Sequence, residues 1–295
     1  MRAPPLVDGL RTLAPRFDAF LLDQFGVLHD GTTVYPGVVD CLEALKAAGK
    51  RVIILSNSGT RRALNRERLA LLGIAPALYE DFVTSGEVAR AYLESAPAEL
   101  RAGTGGTAPL RCLPLGGPAE RAILEGLPVI EVAQVAEADF LLVASFGQDP
   151  PPREAFAETL EAARRRGLTL VCANPDVKGV SPRGLIHAPG ALAADYEAAG
   201  GKVIYIGKPH PLIYRHVLNG LVPLPPARVL AVGDSLAHDI AGAVGIGLAA
   251  ALVIAGIHQE ALGDPADGEA FAIRLVALER RHHARPDYLL RRLAW

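Results

Sequence analysis

The chain has 295 residues, of which 50% are apolar and 21% are charged. This composition is typical of a globular protein with room for one large or two medium domains, and nothing in it indicates disorder. With a net charge of -2 and an isoelectric point near 6.5, the chain has no strong field to collect nucleic acid or an anionic membrane. We therefore expect a small-molecule ligand or none.

The cysteine pattern bears on compartment and on metal binding. Cys41, Cys112 and Cys172 are odd in number, widely separated and without CxxC spacing. This argues against both a disulfide framework and a zinc site, and a reducing cytoplasm fits best. The segment 240–257 is uncharged but interrupted by glycines, so we expect a short helix, a turn and a buried strand there instead of a membrane span.

Short apolar runs alternate with helical periodicity in the first third of the chain. The pattern predicts strands at 19–23, 51–56 and 81–85, and helices at 38–48, 60–72 and 87–94. Strands that alternate with helices in this way are typical of a parallel sheet built from βαβ units.

A second α/β series follows a stretch of Ala, Pro, Gly and Thr at 95–106, which we interpret as a linker. The series has predicted strands at 111–115, 139–144 and 168–173, and predicted helices at 118–125 and 152–166.

From about Pro189 the chain returns to longer elements. The pattern predicts helices at 191–199, 211–219 and 240–244, and strands at 202–206, 228–232 and 249–254. The predicted fold class is therefore α/β, with a Rossmann-like parallel-sheet core formed by residues 1–95 and 189–295. Residues 96–188 are predicted to form a smaller inserted α/β domain.

The stretch 17–31, FDAFLLDQFGVLHDG, places a carboxylate at the end of a buried strand. The apolar run stops at Asp23 and continues into a loop that contains Gly26 and Gly31. A parallel strand that ends in this way delivers its last side chain to the carboxyl edge of the sheet, where open α/β folds bind ligands. Asp23 is therefore our candidate nucleophile, and an aspartate that only caps a turn is the alternative.

The next predicted core strand ends in LSNSGT, which places Ser56, Asn57 and Ser58 in a turn before a helix. Hydroxyl groups and backbone N–H groups converge at such a turn, as they do at anion-binding sites. A simple helix cap is the alternative.

Two later stretches add charge at strand ends. GKPHP places Lys208 directly after a predicted strand, where a fixed ammonium suits a phosphoryl group, with a solvated lysine as the alternative. VLAVGDSLAHDIAGA adds Asp234 and Asp239. Together with Asp23 they would form a set of hard oxygen donors suited to Mg²⁺.

A turn at Gly116 and Gly117, before a predicted helix, offers a further place for a phosphate. Because the stretch lacks the GxGxxG pattern, we interpret it as a tight connection between a strand and a helix.

The stretches LLDQFGV, LSNSGT, GKPHP and VGDSLAHD, in this order, resemble the four motifs of the haloacid dehalogenase superfamily of phosphohydrolases. The long insert between the second and third motifs is similar to the α/β cap of its class IIA members, the nitrophenylphosphatase-like and nucleotide-phosphatase-like proteins. Within the insert, ANPDVKG resembles the substrate-facing NPD loop of that group. The resemblance covers nearly the whole chain.

The resemblance implies a role for each matching residue. Asp23 would attack phosphorus, while Ser56 and Lys208 would hold the transferring oxygens. The cofactor Mg²⁺ would be bound by Asp23, Asp234 and the main-chain carbonyl of Phe25.

Further roles follow for residues around that centre. Asp239 would orient the surroundings of the metal or Lys208. The expected substrate contacts are Asn57, Ser58, Asn174 and Asp176.

The chain departs from the family pattern at Phe25, where superfamily phosphatases usually carry a second aspartate. That aspartate protonates the leaving oxygen and later activates water, and a phenylalanine can do neither. His29 and Asp30 are candidate substitutes, with an ordinary loop role as the alternative for both.

Three functions follow from this reading. The first is a Mg²⁺-dependent phosphatase or phosphotransferase for a small phosphorylated metabolite, slowed by the loss of the usual acid and base. The second is a non-catalytic module that binds a phosphorylated ligand. The third is carbon–halogen hydrolysis, because the dehalogenase branch also has an aromatic residue at the Phe25 position, although Asp234 and Asp239 suit a cation better than a departing halide. The sequence leaves open the natural substrate and whether identical chains assemble.

Overall fold

The structure, a computed structural model, describes residues 4–95, 98–100, 109–181 and 184–295. Its strands are β1 (Leu6–Val7), β2 (Ala19–Leu22), β3 (Arg51–Ser56), β4 (Asp81–Thr84), β5 (Leu110–Pro114), β6 (Val129–Glu131), β7 (Phe140–Val143), β8 (Thr169–Cys172), β9 (Lys178–Ser181), β10 (Gly184–His187), β11 (Lys202–Tyr205), β12 (Val229–Gly233), β13 (Ala249–Val253) and β14 (Tyr288–Leu290). Its α-helices are α1 (Val38–Ala47), α2 (Arg62–Leu71), α3 (Ser85–Glu94), α4 (Pro118–Leu124), α5 (Ala157–Arg165), α6 (Pro189–Ala198), α7 (Pro211–Leu221), α8 (Ala241–Gly245), α9 (Gln259–Leu262) and α10 (Glu269–His282).

The chain divides into two compact units. The first contains Met1–Ser56, Asn65–Val83 and Lys208–Trp295, and the second contains Asn57–Leu64 and Thr84–Gly207.

The first unit is built on a seven-stranded sheet with the order β1-β14-β13-β12-β2-β3-β4. Every residue of β2 and of β12 is buried, as expected for central strands of a parallel sheet with both faces covered. After β2, the strands β3 and β4 are added on one side of β2. The later strands β12, β13 and β14 are added on its other side. The reversal of strand order therefore lies between β2 and β12, which is where ligands bind in open sheets of this kind.

Helix α1 shows how the sequence pattern places these strands. Val38, Cys41, Leu42 and Leu45 are fully buried, and their spacing puts them on one helical face against the core. The helix is followed by Gly49 at a φ of 67°, and the N–H of Lys50 bonds the Leu45 carbonyl at 2.9 Å. This glycine-dependent end of the helix returns the chain directly into β3.

The second unit contains a five-stranded sheet with the order β11-β8-β7-β5-β6 and a separate antiparallel pair, β9 with β10. The five-stranded sheet is parallel and has its own apolar core, which includes Leu141, Leu170 and Tyr196. Its strand order reverses between β5 and β7. The α/β prediction, with a parallel-sheet core and a smaller inserted α/β domain, is thus confirmed.

The boundaries differ from the predicted ones. The sequence places the return to the first unit at Pro189, whereas in the structure it comes at Lys208. The physical reason is that β11 pairs with β8, from Lys202 opposite Thr169 to Tyr205 opposite Cys172, and so belongs to the five-stranded sheet. The predicted linker at 95–106 lies largely outside the described residues.

Two smaller expectations concern the cysteines and the apolar segment at 240–257. Cys41, Cys112 and Cys172 are all buried free thiols. The segment forms the short helix α8, a turn and the buried strand β13, as its glycines indicate. Among the residues that the structure describes, no helix has the length and apolar character needed to cross a membrane.

Candidate active site

Strands β2 and β12 end side by side, and each is followed by an aspartate. Leu22 pairs with Val232 in the parallel register, and the Asp23 N–H donates to the Val232 carbonyl at 2.9 Å. Asp234 follows Gly233, the last residue of β12. Both carboxylates therefore reach the same edge of the sheet, at the reversal of strand order.

Lys208 is the cation of this cluster. Its side chain is 4% exposed, and its Nζ donates to Asp23 Oδ1 at 2.5 Å and to Asp239 Oδ1 at 2.7 Å. Burial lowers the pKa of Lys208, but the two carboxylates outweigh burial and raise the pKa overall. A permanent positive charge is thus fixed against the candidate nucleophile.

Asp239 is held by the turn that follows β12. This turn, Leu236–Ile240, is a short π-helical segment that begins with the Ser235 hydroxyl accepting the His238 N–H at 3.2 Å. Asp239 Oδ2 accepts the Ser235 N–H at 3.1 Å, which leaves Oδ1 directed at Lys208. A Cβ at Gly233 would overlap the Asp239 carboxylate, so the glycine of the VGD stretch is what lets this side chain fold back.

The Asp234 carboxylate lies in a cradle made by two glycines. A Cβ at Gly26, whose φ is 80°, or at Gly256 would overlap the carboxylate. Asp234 Oδ2 also accepts the Ile257 N–H at 2.8 Å. The loop that contains Phe25 and Gly26 thus approaches Asp234 closely, because the position after Phe25 has no side chain.

Burial and neighbouring carboxylates raise the pKa of Asp23 and of Asp234. Burial raises the pKa of Asp23 well above its ordinary value, and Asp239 and Asp234 raise it further, against the opposing effect of Lys208. Burial and Asp239 raise the pKa of Asp234 to about 7, although the Ile257 N–H and Lys208 lower it. Like charges held this close repel one another and favour a bound cation.

The donor set fits a hard divalent cation. One oxygen from each of Asp23, Asp234 and Asp239 lies within 4.8 Å of the others. Within the described part of the chain, three carboxylates face the ammonium of Lys208, so the cluster has an excess of negative charge when all three are ionised. Carboxylate and carbonyl oxygens are the ligands that Mg²⁺ takes in proteins.

Ser56 ends β3, next to β2, and is 3% exposed. Its hydroxyl accepts a hydrogen bond from the side-chain amide of Gln24 at 2.5 Å. Gln24 follows the candidate nucleophile and is only 6% exposed. No sequence pattern singles out Gln24, because a single glutamine carries no periodicity or motif; its position between Asp23 and Phe25 is the only signal.

The predicted substrate contacts lie in the second unit, where they are joined to one another. Asn57 Nδ2 donates to Asp176 Oδ1 at 2.8 Å, and the Asp176 N–H donates to Asn174 Oδ1 at 3.0 Å. The Ser58 hydroxyl lies 2.8 Å from that of Thr60. The turn after β3 and the NPD stretch are thus bonded to each other, and their contact with substrate stays a prediction.

The two candidate substitutes for the missing aspartate both lie in the loop that follows β2. Asp30 Oδ1 accepts the N–H of Thr32 and of Thr33, each at 2.8 Å, and these bonds to the ionised form lower the pKa of Asp30 to about 2. Asp30 is therefore an ionised turn residue without a proton to give at neutral pH.

His29 is buried and packs edge-on against the Phe25 ring, with 4.6 Å between ring centroids. Its Nδ1 accepts the Gly31 N–H at 2.9 Å. Burial lowers the pKa of His29, so the neutral ring with its proton on Nε2 is favoured. Phe25 itself is 54% exposed.

The turn at Gly116 and Gly117 is filled by a side chain of its own unit. Glu120 is fully buried, and its Oε2 accepts the Gly117 N–H at 2.7 Å. Its Oε1 accepts the N–H of Ser145 at 2.9 Å and the N–H of Ala144 at 2.6 Å. The Gly117 N–H of this turn is thus bound to Glu120, in agreement with the interpretation of a tight connection.

Comparison with known proteins gives the same family throughout. Residues 20–127 and 111–247 match families described as haloacid dehalogenase-like hydrolases, and residues 205–294 match a related hydrolase-like family. Glycerol-3-phosphate phosphatase of Homo sapiens is 30% identical over 84% of this chain and 81% of its own.

Two solved structures share the fold over nearly the whole chain. A haloacid dehalogenase-like hydrolase from Brucella suis 1330 is 28% identical, with a TM-score of 0.78 over 98% of this chain and 100% of its own. The p-nitrophenyl phosphatase from Archaeoglobus fulgidus is 25% identical, with a TM-score of 0.73 over 94% and 97% of the two chains. With the motif residues gathered at the reversal of the seven-stranded sheet, these likenesses show that the chain belongs to the haloacid dehalogenase superfamily and is a phosphatase of its class IIA group.

Proposed function

We propose that this phosphatase hydrolyses a small phosphorylated metabolite in a Mg²⁺-dependent reaction, with Asp23 as the nucleophile. The observation that carries the proposal is the Lys208 ammonium held between Asp23 and Asp239, with Asp234 beside them. A buried cation that touches a carboxylate suits the transfer of a dianionic phosphoryl group, and the neighbouring carboxylates suit the Mg²⁺ that would offset their charge.

In the proposed reaction, an Asp23 carboxylate oxygen forms a bond to phosphorus while the bond from phosphorus to the leaving oxygen breaks. Lys208 and the Ser56 hydroxyl offset the charge on the transferring oxygens. An oxygen of water then forms a bond to phosphorus while the bond from phosphorus to the Asp23 oxygen breaks, which releases inorganic phosphate and regenerates the Asp23 carboxylate. Mg²⁺, held by Asp23, Asp234 and the Phe25 carbonyl, would supply further charge neutralisation at the phosphoryl group.

Asp239 has a supporting task in this proposal. It holds Lys208 with one oxygen and the Ser235 N–H with the other, so it fixes the ammonium relative to the end of β12. Such support maintains the alignment on which phosphoryl transfer depends.

The proposed substrate has a leaving group that needs little protonation. Phe25 offers no proton and Asp30 is ionised in its turn. Burial lowers the pKa of His29 and favours its neutral ring, which is a poor proton donor. Aryl and acyl phosphates lose a stable anion, whereas alkyl phosphates lose a poor alkoxide and suffer most without an acid.

Contacts from Asn57, Ser58, Asn174 and Asp176 to the rest of the substrate remain part of the proposal. The Asn57–Asp176 hydrogen bond supports it, because it joins the two stretches to which the family assigns substrate contacts. Exchange of these side chains is expected to change the preference among substrates more than the chemical step.

The experiment is a hydrolysis assay with p-nitrophenyl phosphate and glycerol 3-phosphate, which differ in leaving group. We expect turnover with Mg²⁺, none with EDTA, and faster release from the aryl ester. Chloroacetate is assayed alongside for halide release. Equal rates with and without Mg²⁺, or halide release in place of phosphate release, would contradict the proposal.

A further inference from the structure

Gln24 is a buried amide that the proposed reaction does not yet use. Its main-chain carbonyl accepts the N–H of Leu28 at 2.8 Å and of His29 at 3.2 Å, so the backbone beside the nucleophile is fixed by its own loop. Its side chain points inward and donates to Ser56 at 2.5 Å. A buried amide in such a position normally has a defined partner, and here the partner is the proposed ligand of the phosphoryl oxygens.

The direction of this hydrogen bond matters for Ser56. A hydroxyl has one proton and two lone pairs, and the amide N–H of Gln24 occupies a lone pair. The bond therefore holds the Ser56 oxygen in place as an acceptor. An anionic phosphoryl oxygen can only accept hydrogen bonds, so Ser56 would bind it by donating from its hydroxyl.

The placement joins two strands of the site. Gln24 follows β2, which delivers Asp23, and Ser56 ends β3. The side-chain bond thus ties the phosphoryl ligand on β3 to the strand that carries the nucleophile, beyond the main-chain pairing of the two strands.

We propose that Gln24 is a positioning residue that holds the Ser56 hydroxyl oxygen in the place from which Ser56 contacts the transferring phosphoryl group. This inference rests on the proposed function of the same site. Supporting residues of this kind commonly change activity or affinity by about 10- to 100-fold. Loss of the Gln24 amide is expected to act entirely through Ser56.

A double-mutant cycle tests this dependence. Gln24→Met keeps a similar length but removes the N–H, and we expect it to lower kcat/KM for p-nitrophenyl phosphate by about 10- to 100-fold. Ser56→Ala is expected to lower it at least as much. The double variant should be no worse than Ser56→Ala alone, because the amide has no hydroxyl left to hold.

Binding of inorganic phosphate in the presence of Mg²⁺ gives a second readout that needs no turnover. Calorimetry should show weaker phosphate binding by Gln24→Met in the parent background and unchanged binding in the Ser56→Ala background. A merely structural role for Gln24 would lower the melting temperature without this dependence on Ser56. If the parent binds phosphate but hydrolyses neither ester, the proposed function fails while the Gln24 inference is still tested by binding.

Two outcomes would overturn the inference. One is a folded Gln24→Met protein with the kcat/KM and phosphate affinity of the parent. The other is losses that multiply in the double variant, which would show that Gln24 acts independently of Ser56. If Gln24→Met does not fold, Gln24→Asn replaces it with the same expectations, because its amide is one methylene too short to reach Ser56.

Discussion

The two sheets of this protein reverse their strand order in the same way and use the result differently. In the seven-stranded sheet, the reversal between β2 and β12 gathers Asp23, Asp234 and Lys208. In the five-stranded sheet, the reversal between β5 and β7 gathers backbone N–H groups, and Glu120 of the same unit binds them. Topology determines where a site can form, but internal pairing determines whether a ligand is needed there.

Charge makes the same distinction. At the first reversal, as far as the structure describes the chain, three carboxylates face one ammonium. Burial and mutual repulsion raise the pKa of Asp23 and of Asp234. At the second reversal, the Glu120 carboxylate accepts hydrogen bonds from three backbone N–H groups. No other carboxylate is hydrogen-bonded to Glu120 among the residues that the structure describes. The first arrangement favours a bound cation, whereas the second is satisfied by itself.

The largest effect is expected from Asp23→Asn, which removes the nucleophile's charge at almost unchanged volume. We expect turnover to fall by at least about 1,000-fold, as for other essential nucleophiles, while the fold is kept. Steady-state hydrolysis of p-nitrophenyl phosphate and a melting curve measure the two effects. Asp40→Asn, an exposed change on α1, is the matched control, and parental turnover in Asp23→Asn would exclude the assigned nucleophile.

The next effect concerns the metal. Asp234→Asn is expected to weaken Mg²⁺ binding by about 100-fold or more, because it removes a proposed direct ligand. Loss of a residue that only supports a ligand commonly lowers metal affinity by about 10- to 100-fold. Thermal stability without metal should hold or rise, since one of three crowded carboxylates is gone. Calorimetric titration with Mg²⁺ gives the affinity, and an affinity equal to that of the parent would remove Asp234 from the metal site.

Glu120→Gln is the corresponding change at the second reversal. The glutamine NH₂ group would face at least one backbone N–H, which leaves a buried donor without an acceptor and lowers the free energy of unfolding by about 1 to 3 kcal/mol. Urea unfolding measures the loss. The exposed neighbour Glu125→Gln should show almost none, and Mg²⁺ affinity should be parental in both variants. A Glu120→Gln protein as stable as the parent would mean that these backbone N–H groups do not need the Glu120 carboxylate.

Phe25→Asp adds the carboxyl group that the site at Asp23 lacks as a general acid and base. We expect steady-state hydrolysis to rise by at least about tenfold, from the 10²- to 10⁴-fold that an acid and base commonly contribute, and to rise more for glycerol 3-phosphate than for the aryl ester. Rapid-quench time courses should show a burst in the parent that is lost in the variant, with Phe25→Leu as control. Equal parental rates on both esters without a burst would mean that another residue supplies the proton.

The smallest effect is a pH dependence in the second unit. Burial raises the pKa of Glu87, but hydrogen bonds from Arg61 and Arg62 outweigh it and lower the pKa to about 2. Because the pKa is lower in the folded than in the unfolded state, this stabilisation is present above about pH 4.5 and is lost as the pH falls towards 2. When the pH is lowered from 7 to 3, the free energy of unfolding should decrease less steeply in Glu87→Gln than in the parent. Identical dependences of the free energy of unfolding on pH would contradict the assignment.

Much of this molecule follows from local sequence patterns. The predicted strand at 51–56 coincides with β3, and the predicted helix at 38–48 differs from α1 by one residue, because apolar spacing and a terminal glycine define them. The structure also brings together Asp23, Lys208, Asp234 and Asp239, which the motifs had singled out. Their catalytic roles stay predictions.

What the sequence did not show depends on contacts between distant residues. The strands β1 and β14 have two and three residues, too few for any periodicity. They form because β1 pairs with β14 and β14 pairs with β13 at one end of the sheet. The placement of β11 depends on its pairing with β8. Likewise, Gln24 and Glu120 acquire their roles only from partners that folding brings near.

The most direct test of the central claim is to identify the phosphorylated residue after a rapid acid quench. The parent protein is mixed with p-nitrophenyl phosphate and Mg²⁺, quenched during the burst, digested and mapped by mass spectrometry. We predict one phosphate on the peptide that contains Asp23, none in Asp23→Asn, and the parental amount in Asp40→Asn. Turnover with no phosphate on Asp23, or a phosphate carried by any other residue, would contradict the account.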